Sequence, residues 1–321
     1  MSKRYPPSVP PDPPVSPRDQ LLALNDELRR LKAGGQRTVS VTAETLALLQ
    51  SAVATTAGSP EAAVPARPSE TPAPFVTAAP VASVVRRLAA APVVEIAPIP
   101  VSPPVVDLPA GDKAARWAAL RNLVVNHPVC RAHVRPGKKV VLGTGDLDAK
   151  IFFCGEAPGA DEEIQGEPFV GAAGQLLTKM IQGMGLKREQ VYIGNIMNWR
   201  PEMPVGPGGV QIGNRPPTPE EMRFCLPFLQ AQLEIVQPQL IVALGATAAG
   251  GLLGPGTFKT LGEIKGRWHE FGGRPVMVTY HPSYILRNNS NRSKRAIWED
   301  LLQVMERAGL PVSDKQRHFF L

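Results

Sequence analysis

Four polar side chains stand just behind short apolar runs. Glu156 and Asp161 follow Lys150-Ile-Phe-Phe-Cys-Gly155, Asn195 ends Val191-Tyr-Ile-Gly-Asn, and His281 follows Pro275-Val-Met-Val-Thr-Tyr280. Together they offer two carboxylates, a carboxamide and an imidazole. Such groups hold water, transfer protons and match a hydrogen-bonding edge with both donor and acceptor. None is diagnostic alone. A lone His behind a strand is commonly a surface or satisfied core residue, and a Gly-rich turn such as Gly155-Glu-Ala-Pro-Gly159 is commonly plain turn chemistry. Their meaning depends on whether the fold brings them together.

The elements around them predict that it does. Val140-Val-Leu-Gly143, Lys150–Cys154, Val191–Asn195, Leu240–Gly245 and Pro275–Tyr280 read as strands. Ala172–Met184, Pro219–Val236, Ala246–Leu253 and Ser293–Ala308 read as helices. Thr218 and Glu221 form a capping box for the second of these, and Ser293 caps the last. Strands alternating with helices imply a mainly parallel sheet covered on both faces, a three-layer α/β/α architecture. Ligands of such folds bind at the C-terminal strand ends, so Glu156, Asp161, Asn195 and His281 are expected on one rim.

The chain divides into two regions. Of its 35 prolines, 19 fall in residues 1–110, which hold only two aromatic residues, Tyr5 and Phe75. Repeated Pro removes backbone donors, and scarce large side chains leave little to bury, so 1–110 reads as a disordered Pro/Ala-rich arm. Within it, Leu21, Leu24, Leu28 and Leu31 share one face of a short amphipathic helix near 19–33, a partner-docking element or a transient helix. Residues 111–321 form the folded domain. They carry 25 basic and 19 acidic residues of the chain's 35 and 28, so nearly all of the +7 net charge lies there and fits a polyanionic partner. No apolar stretch is long enough to span a membrane. Three cysteines and no apolar leader point to a reducing cytoplasm.

Gly155-Glu-Ala-Pro-Gly-Ala-Asp-Glu-Glu163 and Gly166-Glu-Pro-Phe-Val-Gly-Ala-Ala-Gly174 resemble the first signature of the family 4 uracil-DNA glycosylases. Tyr192-Ile-Gly-Asn195 with Arg200-Pro201, Asn214-Arg-Pro-Pro-Thr-Pro-Glu-Glu221, Leu244-Gly-Ala-Thr-Ala-Ala, Thr279-Tyr-His-Pro-Ser-Tyr-Ile-Leu-Arg-Asn288 and Lys294-Arg-Ala-Ile-Trp-Glu-Asp-Leu301 resemble the later ones, in order. The resemblance covers about 120–310. It implies a four-stranded parallel sheet between helices and an enzyme that flips uracil out of DNA and hydrolyses its N-glycosidic bond, leaving an abasic site for base excision repair. The implied substrate is uracil-containing DNA, a repair protein is the partner expected for the N-terminal arm, and the chain is expected to act as a cytoplasmic monomer, on the nucleoid when bound to DNA.

The resemblance also implies roles. Phe169 stacks on the base. Asn195 accepts from uracil N3–H and donates to O4, which cytosine cannot match. His281 donates to O2 as uracil leaves as an anion. Glu156 positions water, with Asp161 as the second choice; many relatives carry Asp where Ala157 stands. Gly155 and Ala157 border the base. Glu162 and Glu163 are expected to be solvated or capping carboxylates. Ser283 and Arg287 grip phosphate, with Arg292, Lys294 and Arg295 nearby. Tyr284, Ile285 and Leu286 either wedge into the stack or pack under the last helix. The Gly/Pro-rich loop 203–215, with Arg215 as its only charge, is expected near DNA.

The family usually holds a [4Fe-4S] cluster on four Cys, and here the pattern departs. Only Cys130 and Cys225 match ligand positions, Trp199 stands at a third, and Cys154 lies in the first strand of the signature. No cluster is therefore expected. A mononuclear site on His127, Cys130, His133 and Cys225 is the alternative. A relative that traps DNA covalently uses a His absent here from 200–218. Two other functions stay open. One is a low-turnover lesion-binding scaffold. The other is a different α/β hydrolase or nucleotide-binding enzyme, which the lack of a phosphate-gripping Lys in Gly155–Gly159 disfavours.

Overall fold

The computed structural model describes residues 98–203, 211 and 213–321. The helix expected over 19–33, and the arm up to residue 97, lie outside them. Residues 98–110 form neither helix nor strand, and Ile99, Val106 and Leu108 pack against the apolar cluster around Trp199.

Among the described residues one six-stranded sheet runs in the order β1-β3-β2-β4-β6-β5. Its strands are β1 (Thr144–Gly145), β2 (Ile151–Gly155), β3 (Tyr192–Asn195), β4 (Leu240–Leu244), β5 (Trp268–Phe271) and β6 (Arg274–Thr279). The four-stranded centre β3-β2-β4-β6 is parallel, as the alternating pattern predicts, and β1 and β5 add antiparallel edges. Every residue of β2 and β4 is buried because helices cover both faces.

The helices are α1 (Lys113–Asn126), α2 (Pro128–Ala132), α3 (Ala160–Gln165), α4 (Ala172–Gly183), α5 (Pro219–Val236), α6 (Ala246–Leu253), α7 (Leu261–Ile264), α8 (Pro282–Arg287), α9 (Asn291–Arg307) and α10 (Asp314–Arg317). Side chains alternate across a strand, so Ile151 and Phe153 meet Leu177 and Ile181 of α4 and Leu301 of α9 on one face. Phe152 and Cys154 meet Leu229 and Leu233 of α5 and Ala248 of α6 on the other. A third cluster, around Trp199, joins α1 and α2 to α5.

Three expectations are corrected. Val140–Gly143 is not a strand. It bonds to a loop and a helix side chain instead: Val141 N–H donates to Asn198 O (2.8 Å), and Gly143 N–H donates to Gln232 Oε1 (3.0 Å). The edge strand β5 went unforeseen because it is only four residues long and sets His269 and Glu270 between its two aromatic residues. Its hairpin turn, Gly272-Gly273, has φ of 55° and 74°, which glycine adopts without strain. Helix α9 begins earlier than expected, with Ser290 as its cap accepting from Ser293 N–H at 3.1 Å.

Candidate active site

Parallel register brings the strand ends level. Gly155 pairs with Asn195, and Leu244 with Thr279. The residues just beyond border one cavity of about 720 Å³ that includes Glu156, Asp161, Phe169, Asn195, Thr247 and His281. The four polar groups foreseen from the strand ends are thus brought together.

Gly155 is the tightest point. A Cβ there would collide with Asn195 Oδ1 and with the Phe169 ring, so only glycine leaves the slot open. Ala157 also borders the cavity. Asn195 is 5% exposed, and its Oδ1 has no hydrogen-bond partner among the described residues. A buried acceptor left bare costs about 1–3 kcal/mol unless a ligand supplies the donor.

Phe169 is held in an uncommon backbone conformation, φ 53°, which costs of order 1–3 kcal/mol and needs surrounding support. That support is visible. Arg188 Nη2 donates to Pro168 O (2.7 Å), and any side chain on Gly174 would strike the Phe169 carbonyl. The Glu162 carboxylate accepts from Val170 N–H and Gly171 N–H on one oxygen and from Gly159 N–H on the other, each at 3.0 Å. Glu162 therefore clasps the turn after β2 to the loop carrying Phe169. It is not a solvated carboxylate, although its place three residues after Gly159 marks it as a capping residue in the sequence. Glu163 is buried and paired with Arg200 (2.9 Å), again unlike the solvated group expected.

His281 caps α8. Its Nδ1 accepts from Ser283 N–H (3.2 Å) and lies 2.9 Å from Ser283 Oγ, which in turn accepts from Arg287 Nη1 (3.1 Å). With Nδ1 accepting, this network assigns the proton to Nε2. Burial, then the nearby Arg287 charge, lowers the imidazole pKa to about 4. His281 is thus a neutral donor at ordinary pH. Its ring centre is 5.6 Å from that of Phe169.

Burial raises the Glu156 carboxyl above its ordinary range, and a side-chain hydrogen bond with Thr247 opposes that shift. Asp161 also borders the cavity but is exposed on the first turn of α3. Of the two carboxylates, Glu156 is therefore the one withdrawn from water. Thr247 and the Tyr280–Tyr284 stack (4.2 Å between centres) also border the cavity. Thr247 and Tyr280 lie within quoted motifs but were given no role there, since each acquires its meaning only from its neighbour.

The groups expected to grip DNA divide. Ser283, Tyr284 and Arg287 border the cavity. Leu286 is 51% exposed on α8, whereas Ile285 is buried in the core, which settles the apolar trio as mixed. Arg215 borders the cavity, but both Glu221 oxygens hold its guanidinium at 2.7 Å. Arg295 donates to the carbonyls of Arg317 and Phe319 near the C-terminus. Residues 204–210 and 212 of the Gly/Pro-rich loop lie outside the described residues.

The positions matching cluster ligands are filled differently. Cys130 and Cys225 are buried free thiols in the cluster that contains Trp199, Phe224 and Phe228. Burial lifts the Cys130 thiol to about 12, and raises that of Cys225 as well. His133 stacks on Trp199 (5.1 Å, 12°), and the His127 ring meets Phe224 and Phe228 edge-on. Cys154, in β2, is buried in the core. Two neutral thiols beside a buried indole do not fit a four-thiolate cluster. No group of three or more His, Cys, Asp or Glu among the described residues is placed to hold a metal ion. No helix among them is long and apolar enough to cross a membrane.

Comparison with known proteins agrees with this geometry. The family model for the uracil DNA glycosylase superfamily matches residues 142–302. A type-4 uracil-DNA glycosylase of Thermotoga maritima is 45% identical over 163 residues, which span 50% of this chain and 79% of the relative. The type-4 enzyme of Archaeoglobus fulgidus is 45% identical over 152 residues, 46% of this chain and 71% of the relative. That of Pyrobaculum aerophilum is 37% identical over 183 residues, 54% and 87% respectively. Since the family match contains Glu156, Phe169, Asn195 and His281 together, the chain belongs to the uracil-DNA glycosylase superfamily and, within it, to the type-4 enzymes.

Proposed function

We propose that this cavity receives a uracil flipped from DNA and that its residues hydrolyse the N-glycosidic bond, the first step of base excision repair. The observation that carries the reading is the buried, unpartnered Asn195 Oδ1 in the same cavity as a neutral His281. Oδ1 accepts from uracil N3–H while the Asn195 amide donates to O4. Cytosine offers an acceptor and a donor at those two places, so it is rejected. Phe169 supplies the face on which the base stacks.

As the bond from C1′ to N1 breaks, its electron pair stays on N1 and negative charge spreads to O2. His281 Nε2–H donates to O2, a role that needs no protonated imidazole. Such a donor is worth about 10²–10³ in kcat. The sugar becomes oxocarbenium-like. Ionised Glu156 stabilises that charge and takes a proton from water as the water oxygen bonds to C1′. The products are an abasic site and free uracil. Ser283 and Arg287 face the DNA backbone, and Tyr284 with the exposed Leu286 fills the space the base leaves. In this reading neither Cys130 nor Cys225 holds a metal, and no step uses one.

The test is excision from an end-labelled oligonucleotide with one dU, cleaved by alkali. His281→Ala is expected to lose 10²–10³ in kcat. Asn195→Asp is expected to gain cytosine excision, because a protonated carboxyl presents the opposite pattern. Tight binding of uracil-DNA without product from the parent protein would instead establish a lesion-binding scaffold.

A further inference from the structure

A second concavity, of about 590 Å³, lies at the far end of α3. Five cations border it: Arg121 from α1, Arg131 from α2, and Arg135, Lys138 and Lys139 from the turn that follows. No carboxylate does. Two carboxylates lie nearby: Glu163, which Arg200 already holds at 2.9 Å with Lys138 farther off at 3.7 Å, and Glu202, whose charge is felt by both Arg135 and Arg215. Arg135 and Lys139 spend one hydrogen bond each on neutral carbonyls, of Met203 and Gln165. Among the described residues none of Arg121, Arg131, Arg135 or Lys139 has a carboxylate within ion-pair distance. A concavity walled this way favours an anion.

Its position indicates which anion. The first turn of α3 borders the base cavity through Asp161 and Glu162, and its last residue, Gln165, borders the basic concavity. Six residues of helix rise about 9 Å. A strand whose base sits in the first cavity therefore needs only a short length of backbone to reach the basic concavity.

We propose that the basic concavity is a second anchor for the uracil-bearing strand, holding backbone phosphate a short distance along the strand from the flipped base. The inference rests on the uracil reading of the first cavity. It assigns the domain's excess positive charge to a definite place and makes the footprint on DNA longer than the base cavity alone.

The triple variant Arg121→Gln/Arg131→Gln/Lys139→Gln tests it. All three side chains are exposed and none touches the base cavity. On single-stranded dU oligonucleotides extending six or more nucleotides to both sides, KM is expected to rise about tenfold with kcat unchanged. The salt dependence of log K should flatten by about 0.7 per lost contact. On oligonucleotides with one nucleotide on either side, parent and variant should coincide. Equal KM and equal salt slopes on the long substrates would overturn the anchor. Anisotropy with long uracil-free DNA reads the same slopes without catalysis, so failure of the uracil reading is distinguishable from failure of the anchor. Added inorganic phosphate separates the remaining source. A variant-sensitive rise in melting temperature with phosphate, without any dependence on DNA length, would mark a site for a free anion and reject the DNA anchor.

Discussion

Two regions of this molecule bury polar atoms without partners, and they differ in what lies next to them. At the sheet rim, Asn195 Oδ1 is bare beside a cavity of about 720 Å³. In the lobe formed by α1, α2 and α5, His133 Nε2 and Trp199 Nε1 are equally bare, as is Asn198 Oδ1 next to Trp199, but the stacked His133 and Trp199 rings lie against Cys130, Cys225 and Phe224. The first kind of vacancy can be satisfied by a visiting ligand. The second is the residue of a packing solution: an aromatic stack fills the volume, and its dispersion and burial offset the unmade hydrogen bonds. Unsatisfied polarity thus marks function only where a ligand has access.

The most severe way to break that contrast is Trp199→Ala. If the indole fills the lobe, its removal leaves a cavity and costs about 3–5 kcal/mol in urea unfolding, while kcat of the folded fraction stays near the parent's. A large loss of kcat with unchanged stability would mean that the lobe takes part in the chemistry.

Next is Glu162→Ala, which strips three backbone N–H groups of their acceptor and frees the loop carrying Phe169. We expect kcat to fall about tenfold, equivalent to about 1.4 kcal/mol, with KM less affected. Glu162→Gln, which keeps one acceptor oxygen, should recover part of it. A variant that loses only stability would reduce Glu162 to a helix cap.

The pH dependence sharpens the rim. Glu156 acts ionised, and burial holds its pKa above the ordinary 4.5, so kcat should fall on acidification at a higher pH than a free glutamate would dictate. Thr247→Val removes the hydrogen bond that opposes this shift and should move the acidic limb upward. A folded-state pKa above the unfolded one means that ionised Glu156 costs stability at pH above the unfolded value. Glu156→Gln should therefore melt higher than the parent at pH 7 and lose that advantage in acid. His281 stays neutral down to about pH 4 and should contribute no limb nearer neutrality.

The smallest expected effect concerns the lobe. Exhaustive chelation should leave both melting temperature and excision unchanged, measured by thermal scan and dU cleavage. A fall in either on chelation, restored by iron, would show that Cys130 and Cys225 hold metal after all.

The candidate site was legible because parallel α/β sheets align their strand ends. Glu156, Asn195 and His281 each follow an apolar run, and register alone then places them on one rim. Phe169 was legible only through resemblance, since its left-handed backbone has no signature in residue type. Glu162 was legible as a capping carboxylate, and it does cap α3, but its reach to Val170 and Gly171 in a second loop was not, because those partners lie eight and nine residues on. Glu163 was misjudged because its partner Arg200 lies 37 residues away.

By itself the sequence determined the parallel core and the strand-end shortlist, which follow from local periodicity and need no coordinates; the mismatch between Cys130, Cys225, Trp199 and a four-thiolate site followed only from the family resemblance. Only the tertiary structure decided which carboxylate is withdrawn from water, which imidazole nitrogen carries the proton, and that Arg215 is neutralised while Arg121 and Arg131 are not. Those properties depend on burial and on partners distant in the chain, and no spacing along a single strand of sequence encodes either.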